Sequence, residues 1–497
     1  MSVTSKVVNS AMFAASAKLI SKLLGVISTM VLARILAPEE FGYIAIVSIA
    51  LYFFDILSHA ASEQYIIQKT TVSRRELHTA WTANLLLKLA IALVIVLLAP
   101  WIAIFFERPE LTDAFRLSAL ILPIQALKSP IYILLKRQLN FAPLFWSSLA
   151  ERLLAVPLVI TLAFALESFW AFILTDIAAK LLAVVISYFI ARKLPRFTLS
   201  GVAVQWTFSK WMMAKSVVGY MRSQIDTIVV SKAFSGGVLG NYHMARELAM
   251  MPAHFLLGPA IEPLLSAFKN DKDDKNALMN NVAFSLIVAM IISIPLCVFI
   301  WNYAETIVFI LLGENWGIAA TVLPILSLLF FYWTLMQIIE TAFIANGNVR
   351  LIFVSDVISL LLITVALTVG VTLSFPLEGL AWLRVLIGFS VTLLLIVFFF
   401  KTNLCYVREV FLAAVTSLFC CALAYLLAGS VVEVIGLGYG GGAQIWQSLL
   451  WGTVFFLTYA ILLLLTGKLS NNYHFNRLLS ILGPILARNS RNNRNCQ

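Results

Sequence analysis

The sequence predicts an all-α polytopic membrane protein of about fourteen transmembrane helices: two six-helix lobes related by pseudo-two-fold symmetry, plus a C-terminal helix pair. Three observations predict it. Of 497 residues, 61% are hydrophobic and only 12% charged, with a mean hydropathy of +0.95, whereas soluble domains carry about 25% charged residues. Apolar stretches long enough to cross the roughly 30 Å hydrocarbon core recur along the whole chain, separated by connectors of at most about 20 residues. The first part of the chain is also echoed, 198 residues later, by a second copy of the same pattern.

Taken in order, the spans fall near 9–33, 41–63, 80–104, 112–135, 142–165, 168–191 and 207–232. They continue near 239–267, 282–303, 318–345, 352–374, 379–400, 409–431 and 446–467. The first is too long for the apolar core of a cleaved signal peptide, and no small-residue cleavage site precedes Arg34, so it reads as an uncleaved span. The seventh and eighth are the least hydrophobic, which makes twelve the alternative count.

Charge orients the spans. Basic residues cluster in alternate connectors, among them Lys69, Arg74 and Arg75; Lys136 and Arg137; Arg192, Lys193 and Arg196; and the tail with Lys468, Arg488 and Arg494. The opposite connectors hold Glu39 and Glu40, Glu107 and Glu110, Glu167, Glu305, Glu378 and Glu433. Positively charged connectors stay in the cytoplasm, so both termini are expected there. The basic excess, 35 Lys and Arg against 24 Asp and Glu, is therefore a topology signal, and no nucleic-acid partner is expected. The five cysteines lack metal-ligand spacing, so neither a disulfide framework nor a metal site is expected. No GxxxxGK[ST] occurs, and the glycine cluster Gly436–Gly442 reads as a flexible outer loop. No cofactor is expected, and with no soluble domain to carry chemistry, neither is an enzyme.

The exit from the first span reads ARILAPEEFGYI and the exit from the seventh SKAFSGGVLGNY; Arg34 aligns with Lys232 and Gly42 with Gly240. Spans four and ten share LPI, at Leu122–Ile124 and Leu323–Ile325. Six spans per copy is even, so the two copies share orientation. The expected organisation is a lobe over 1–200, a second over 201–403, an appended helix pair over 404–467 and a basic cytoplasmic tail over 468–497. Gly42 and Gly240 are expected as equivalent hinge positions at the outer ends of spans one and seven.

VLARILAPEEFGYIAI (Val31–Ile46) and RSQIDTIVVSKAFSGGVLGNYHMA (Arg222–Ala245) resemble the paired motifs of bacterial polysaccharide flippases, of the multidrug/oligosaccharidyl-lipid/polysaccharide (MOP) exporter superfamily. Ser231-Lys232 stands where many members read Gly-Arg, which keeps the charge. The resemblance implies an alternating-access cavity between two lobes. It also implies a cargo of oligosaccharide linked through pyrophosphate to undecaprenol, moved from the cytoplasmic to the outer leaflet of the bacterial cytoplasmic (inner) membrane for exopolysaccharide, capsule or O-antigen synthesis. Membrane lipids surround such a protein, and polymerase and chain-length-regulator proteins are further partners to test for. A multidrug exporter of the same superfamily and a lipid II flippase are the alternatives.

Charges inside spans are functional candidates because each costs free energy unless it meets a partner or a cavity. Lys18 and Lys22 lie one turn apart, roughly 12 and 18 Å from the cytoplasmic end of the first span at 1.5 Å per residue, with Asp55 at about 14 Å on the second. Either Asp55 neutralises one lysine, or the pair holds an anion such as a diphosphate. Arg152 and Arg222 are candidates for the other half of that site, and Lys180 and Arg246 complete the candidate cargo ligands. Asp176 with Lys180, and Arg222 with Asp226, are four apart and equally suit structural ion pairs. Asp55, Asp176 and Asp226 are thus charge partners or cation-coupling groups. Glu151-Arg152 and Arg246-Glu247 are adjacent pairs, point to different helix sides and need partners elsewhere.

Overall fold

The computed structural model describes residues 20–58, 72–138, 142–191, 194–200, 202–271, 273–435 and 441–469, with Ile66, Asn140 and Arg477. Lys18, Gly436 to Gly440 and nearly all of the basic tail lie outside the described residues. All regular structure described is helical. A helix lies over each expected span: α1 (20–35), α2 (Pro38–Ser58), α3 (Arg74–Phe105), α5 (Ala142–Leu166), α6 (Trp170–Ala191), α7 (Val202–Ala233) and α8 (Gly236–Pro252). Then follow α9 (Lys275–Asn302), α10 (Gly317–Ala345), α11 (Val349–Thr372), α12 (Leu377–Phe399), α13 (Cys405–Ile435) and α14 (Gly441–Leu469). The fourth span, α4, is broken: Pro109–Ala126 bends by 61° into Ile131–Arg137.

Among the described residues, eleven helices are long and apolar enough to cross a membrane, or twelve if the bent α4 counts as one span. The expected fourteen is not reached by that measure. α1 is described only from residue 20, and α7 carries Lys210, Lys215, Arg222, Asp226 and Lys232 along its length. The chain is nonetheless a multi-pass membrane protein.

Local chemistry sets the breaks. Ser73 caps α3 in a capping box: its hydroxyl accepts from the Glu76 amide at 3.2 Å, and the Glu76 carboxylate accepts from the Ser73 amide at 2.9 Å. Pro252 closes α8, and a π-helical segment, Ala253–Leu257, follows before the chain resumes through Gly258–Ile261 and Leu264–Asn270. Pro252, Pro259 and Pro263 each withhold an amide there, so the regular ladder cannot run through.

By packing, the chain divides into two compact units. One comprises residues 1–244, 311–319 and 356–380; the other comprises 245–310, 320–355 and 381–497. In the second unit α13 and α14 pack on α9 over a core that includes Leu286, Met290, Cys420, Ala424 and Phe455. The Tyr459 hydroxyl ties the three helices together, donating to the Ile291 carbonyl at 2.9 Å and sharing a 2.7 Å hydrogen bond with Ser417. In the first unit the core gathers around the α1–α2 turn, where Leu32, Ala33, Phe41 and Ala45 are buried.

Candidate functional site

The APEEFG motif is a packing hub. Pro38 opens α2, and Glu39 and Glu40 occupy its first turn, where carboxylates favour the helix dipole. Glu40 also reaches α6, accepting from the Phe169 amide at 2.5 Å and the Ser168 hydroxyl at 3.2 Å, which satisfies orphan donors just before that helix. Trp316, fully buried, donates to the Ala33 carbonyl at 2.9 Å and sets its ring edge-on to Phe41 at 5.1 Å. Gly42 and Gly240 stand in the first turns of α2 and α8, not at the outer ends of α1 and α7, because each chain reversal is completed before the glycine is reached. A Cβ on Gly42 would overlap the Gly236 carbonyl, and one on Gly240 the Pro38 carbonyl. Only glycine lets the two backbones approach so closely.

Three of the charged groups inside the first unit involve the candidates expected from sequence. In one, Lys88 on α3 is buried and donates to Asp55 and to Gln125, both at 2.8 Å. Asp55 therefore has a lysine partner that the spacing along α1 and α2 does not reveal. In the second, Arg222 Nη1 lies 3.3 Å from Asp356 Oδ1 on α11, and the buried Asp226 accepts from the Tyr242 hydroxyl at 2.9 Å. In the third, Lys180 Nζ binds Glu151 at 2.7 Å and Asp176 at 3.5 Å, while Lys128 approaches Glu151 at 3.7 Å. The Asp176–Lys180 pair expected from its spacing is present, but Glu151 is the closer partner. Arg246, in the second unit, is half-buried on α8.

The third group borders a cavity of about 360 Å³ within the first unit. Its wall draws on α1, α2, α4, α5 and α6 and includes Ser28, Thr29, Ser48, Arg152, Thr175, Asp176 and Lys180 among apolar side chains such as Leu51, Val156 and Phe172. Of the residues expected from sequence, it brings Arg152, Asp176 and Lys180 together. Lys22 is half-buried on α1, three residues before Gly25, which lines the cavity. Asp55, Arg222, Asp226 and Arg246 lie outside that lining. Lys88, Lys128 and Glu151's paired role were not foreseen. A lysine in the middle of an apolar span was a sufficient signal for Lys88. In the second unit a cavity of about 470 Å³ is lined almost wholly by apolar side chains, including Met290, Phe331, Phe389 and Phe411. Among the described residues no three His, Cys, Asp or Glu side chains converge as a metal site would need.

Helices that bury ion pairs within membrane-length segments and enclose a charged cavity define a polytopic protein of the transporter type rather than a membrane scaffold. Residues 31–320, more than half of the chain, match the family described as "Polysaccharide biosynthesis protein", and the chain belongs to that family. It is 27% identical over 305 residues to the succinoglycan biosynthesis transport protein ExoT of Rhizobium meliloti, covering 61% of this chain and 62% of ExoT, less than two thirds of that protein. It is 26% identical over 382 residues to the lipopolysaccharide biosynthesis protein WzxC of Escherichia coli, covering 74% of this chain and 76% of WzxC. The solved structure of the lipid II flippase MurJ in an inward closed conformation aligns with a TM-score of 0.71 at 16% identity, over 90% of this chain and 98% of MurJ. That likeness establishes the fold.

Proposed function

We propose that the protein is an alternating-access flippase that carries an undecaprenyl-pyrophosphate-linked oligosaccharide from the cytoplasmic to the outer leaflet of the bacterial inner membrane. The observation that carries this reading is the half-buried charged cavity inside the bundle of the first unit. Glu151, Arg152, Asp176 and Lys180 line it, and Lys128, outside the lining and 3.7 Å from Glu151, brings the group to three cations and two carboxylates. A surplus of positive charge suits an anionic cargo better than the cationic drugs of a multidrug exporter. Family membership and relatives named for polysaccharide transport support the same cargo class. Both termini are assigned to the cytoplasm from connector charge, and polymerase and chain-length-regulator proteins are the partners that would receive the cargo.

In this reading Lys18 and Lys22 hold the diphosphate. Lysine is a hydrated point charge that can bind phosphate and release it, which a flippase requires. The test is polymer at the cell surface after deletion of the gene and complementation at matched membrane abundance. Wild type restores polymer, Lys22→Ala does not, and Lys22→Arg restores it in part. Normal surface polymer in the deletion strain overturns the reading. Accumulated peptidoglycan precursor in that strain favours a lipid II flippase, and changed drug susceptibility alone favours a multidrug exporter.

A further inference from the structure

We propose that the cavity of the first unit is a subsite for one sugar residue of the cargo, and that Arg152 reads a single carboxylate on that sugar. The proposal rests on the flippase reading and gives the cavity a role separate from the diphosphate. At about 360 Å³ it falls in the range of small-molecule sites, about 300–1,000 Å³. Its lining suits a pyranose. Ser28, Thr29, Ser48 and Thr175 line it together with Phe172, whose ring Phe41 meets edge-on at 5.7 Å.

Two observations point to a ligand. Thr175 is 5% exposed, its hydroxyl has no hydrogen-bond partner among the described residues, and it stands on the cavity wall. A buried hydroxyl is costly to leave unsatisfied, and a sugar hydroxyl would satisfy it. Arg152 is exposed at the same wall, and among the described residues no carboxylate lies within ion-pair distance of it. The carboxylates nearby are committed: Glu151 to Lys180 and Lys128, Asp176 to Lys180.

Charge decides the kind of anion. With Lys128, Arg152 and Lys180 set against Glu151 and Asp176, the group has one positive charge in excess, and the uncommitted cation is the guanidinium. A sugar carboxylate neutralises it through the bidentate geometry that guanidinium and carboxylate share. A diphosphate diester carries two charges and would leave the group net negative. A neutral sugar would leave Arg152 unused.

The test uses the full chain in lipid nanodiscs, titrated with methyl glucuronide and with methyl glucoside, which differ at the carboxylate, and read by saturation-transfer NMR and calorimetry. Wild type should prefer the glucuronide by about tenfold or more, since a site built for a charged partner rejects the analogue lacking it. Arg152→Gln, on an exposed side chain and therefore expected to fold, should lose the preference. Arg152→Lys should keep part of it, and Thr175→Val should weaken both probes. Equal binding of the two, no glucuronide binding, or an undiminished preference in Arg152→Gln overturns the proposal. Complementation of the deletion strain separates the two readings. If wild type restores polymer without a glucuronide preference, the subsite alone is wrong. If the preference is present but polymer is not restored, the flippase reading is wrong and the carboxylate-sugar site stands.

Discussion

Gly42 and Gly240 touch reciprocally: a side chain on the first would strike the carbonyl of Gly236, and one on the second the carbonyl of Pro38. Positions 42 and 240 are 198 apart, and so are 38 and 236, the same offset at which the two motif copies align. Residue and partner exchange roles between the copies, as they do across the two-fold contact of a symmetric dimer. The internal repeat is therefore expressed in packing as well as in sequence.

Substitution at either glycine must push backbone from backbone, since the obstructing atoms are carbonyls and not flexible side chains. Gly42→Ala and Gly240→Ala should each destabilise the purified protein by about 1–3 kcal/mol, the usual cost of overpacking. Because both crowd one crossing, the double variant should lose less than the sum. Thermal unfolding in detergent reads this directly, and Gly42→Leu and Gly240→Leu should insert yet fail to restore polymer. Wild-type export from both leucine variants would deprive the crossing of functional weight.

Lys88 and Asp55 make a second test. Their side chains are 4% and 14% exposed, so removing Asp55 takes the carboxylate from a buried ammonium, and removing Lys88 takes an ion-pair partner from a nearly buried carboxylate. Lys88→Ala should cost about 3–5 kcal/mol and lower membrane abundance, and adding Asp55→Asn should recover much of the loss. Lys22→Ala with Asp55→Asn should not recover export, because neutralising the carboxylate supplies no phosphate ligand. Full recovery in that second pair would assign Lys22 a structural role.

Glu40 should matter through α6. Replacing it with alanine removes the acceptor for the Phe169 amide and the Ser168 hydroxyl, a loss of about 1 kcal/mol by analogy with helix N-caps. Glu40→Gln retains an acceptor oxygen and should lose less. Unfolding midpoints of the two variants, compared with wild type, give the ordering.

Orientation is tested by reporter fusions. Those at Thr70, Phe197 and Asn493 should read cytoplasmic, and those at Glu110 and Gly440 periplasmic, as the connector charges require. A periplasmic signal from Thr70 would invert the assignment and the depths assigned to Lys18, Lys22 and Asp55.

Helix positions were legible because each follows from local composition, and the APEEFG glycine because two copies of the motif mark it. Asp176 and Lys180 were legible as a pair because four residues bring them onto one helical face. Lys88 with Asp55 and Arg222 with Asp356 were not: each joins two helices, and which residues meet depends on how those helices are rotated and tilted against one another. Periodicity gives the face that is polar but not the neighbour it turns toward. Thr175 left no trace either, since a threonine within an apolar span is ordinary until its hydroxyl is found buried without a partner among the described residues.

Lys88 sits near the middle of the 32-residue α3, where a lone ammonium costs about 2.5–3.5 kcal/mol to insert. Its carboxylate partner lies on the preceding helix, which the ribosome has already delivered when α3 emerges. The pair therefore bears on biogenesis. α2 and α3 are expected to leave the translocon as a hairpin with the two charges already joined, and α3 alone, cut from its predecessor, should partition into the bilayer less readily than its hydropathy implies.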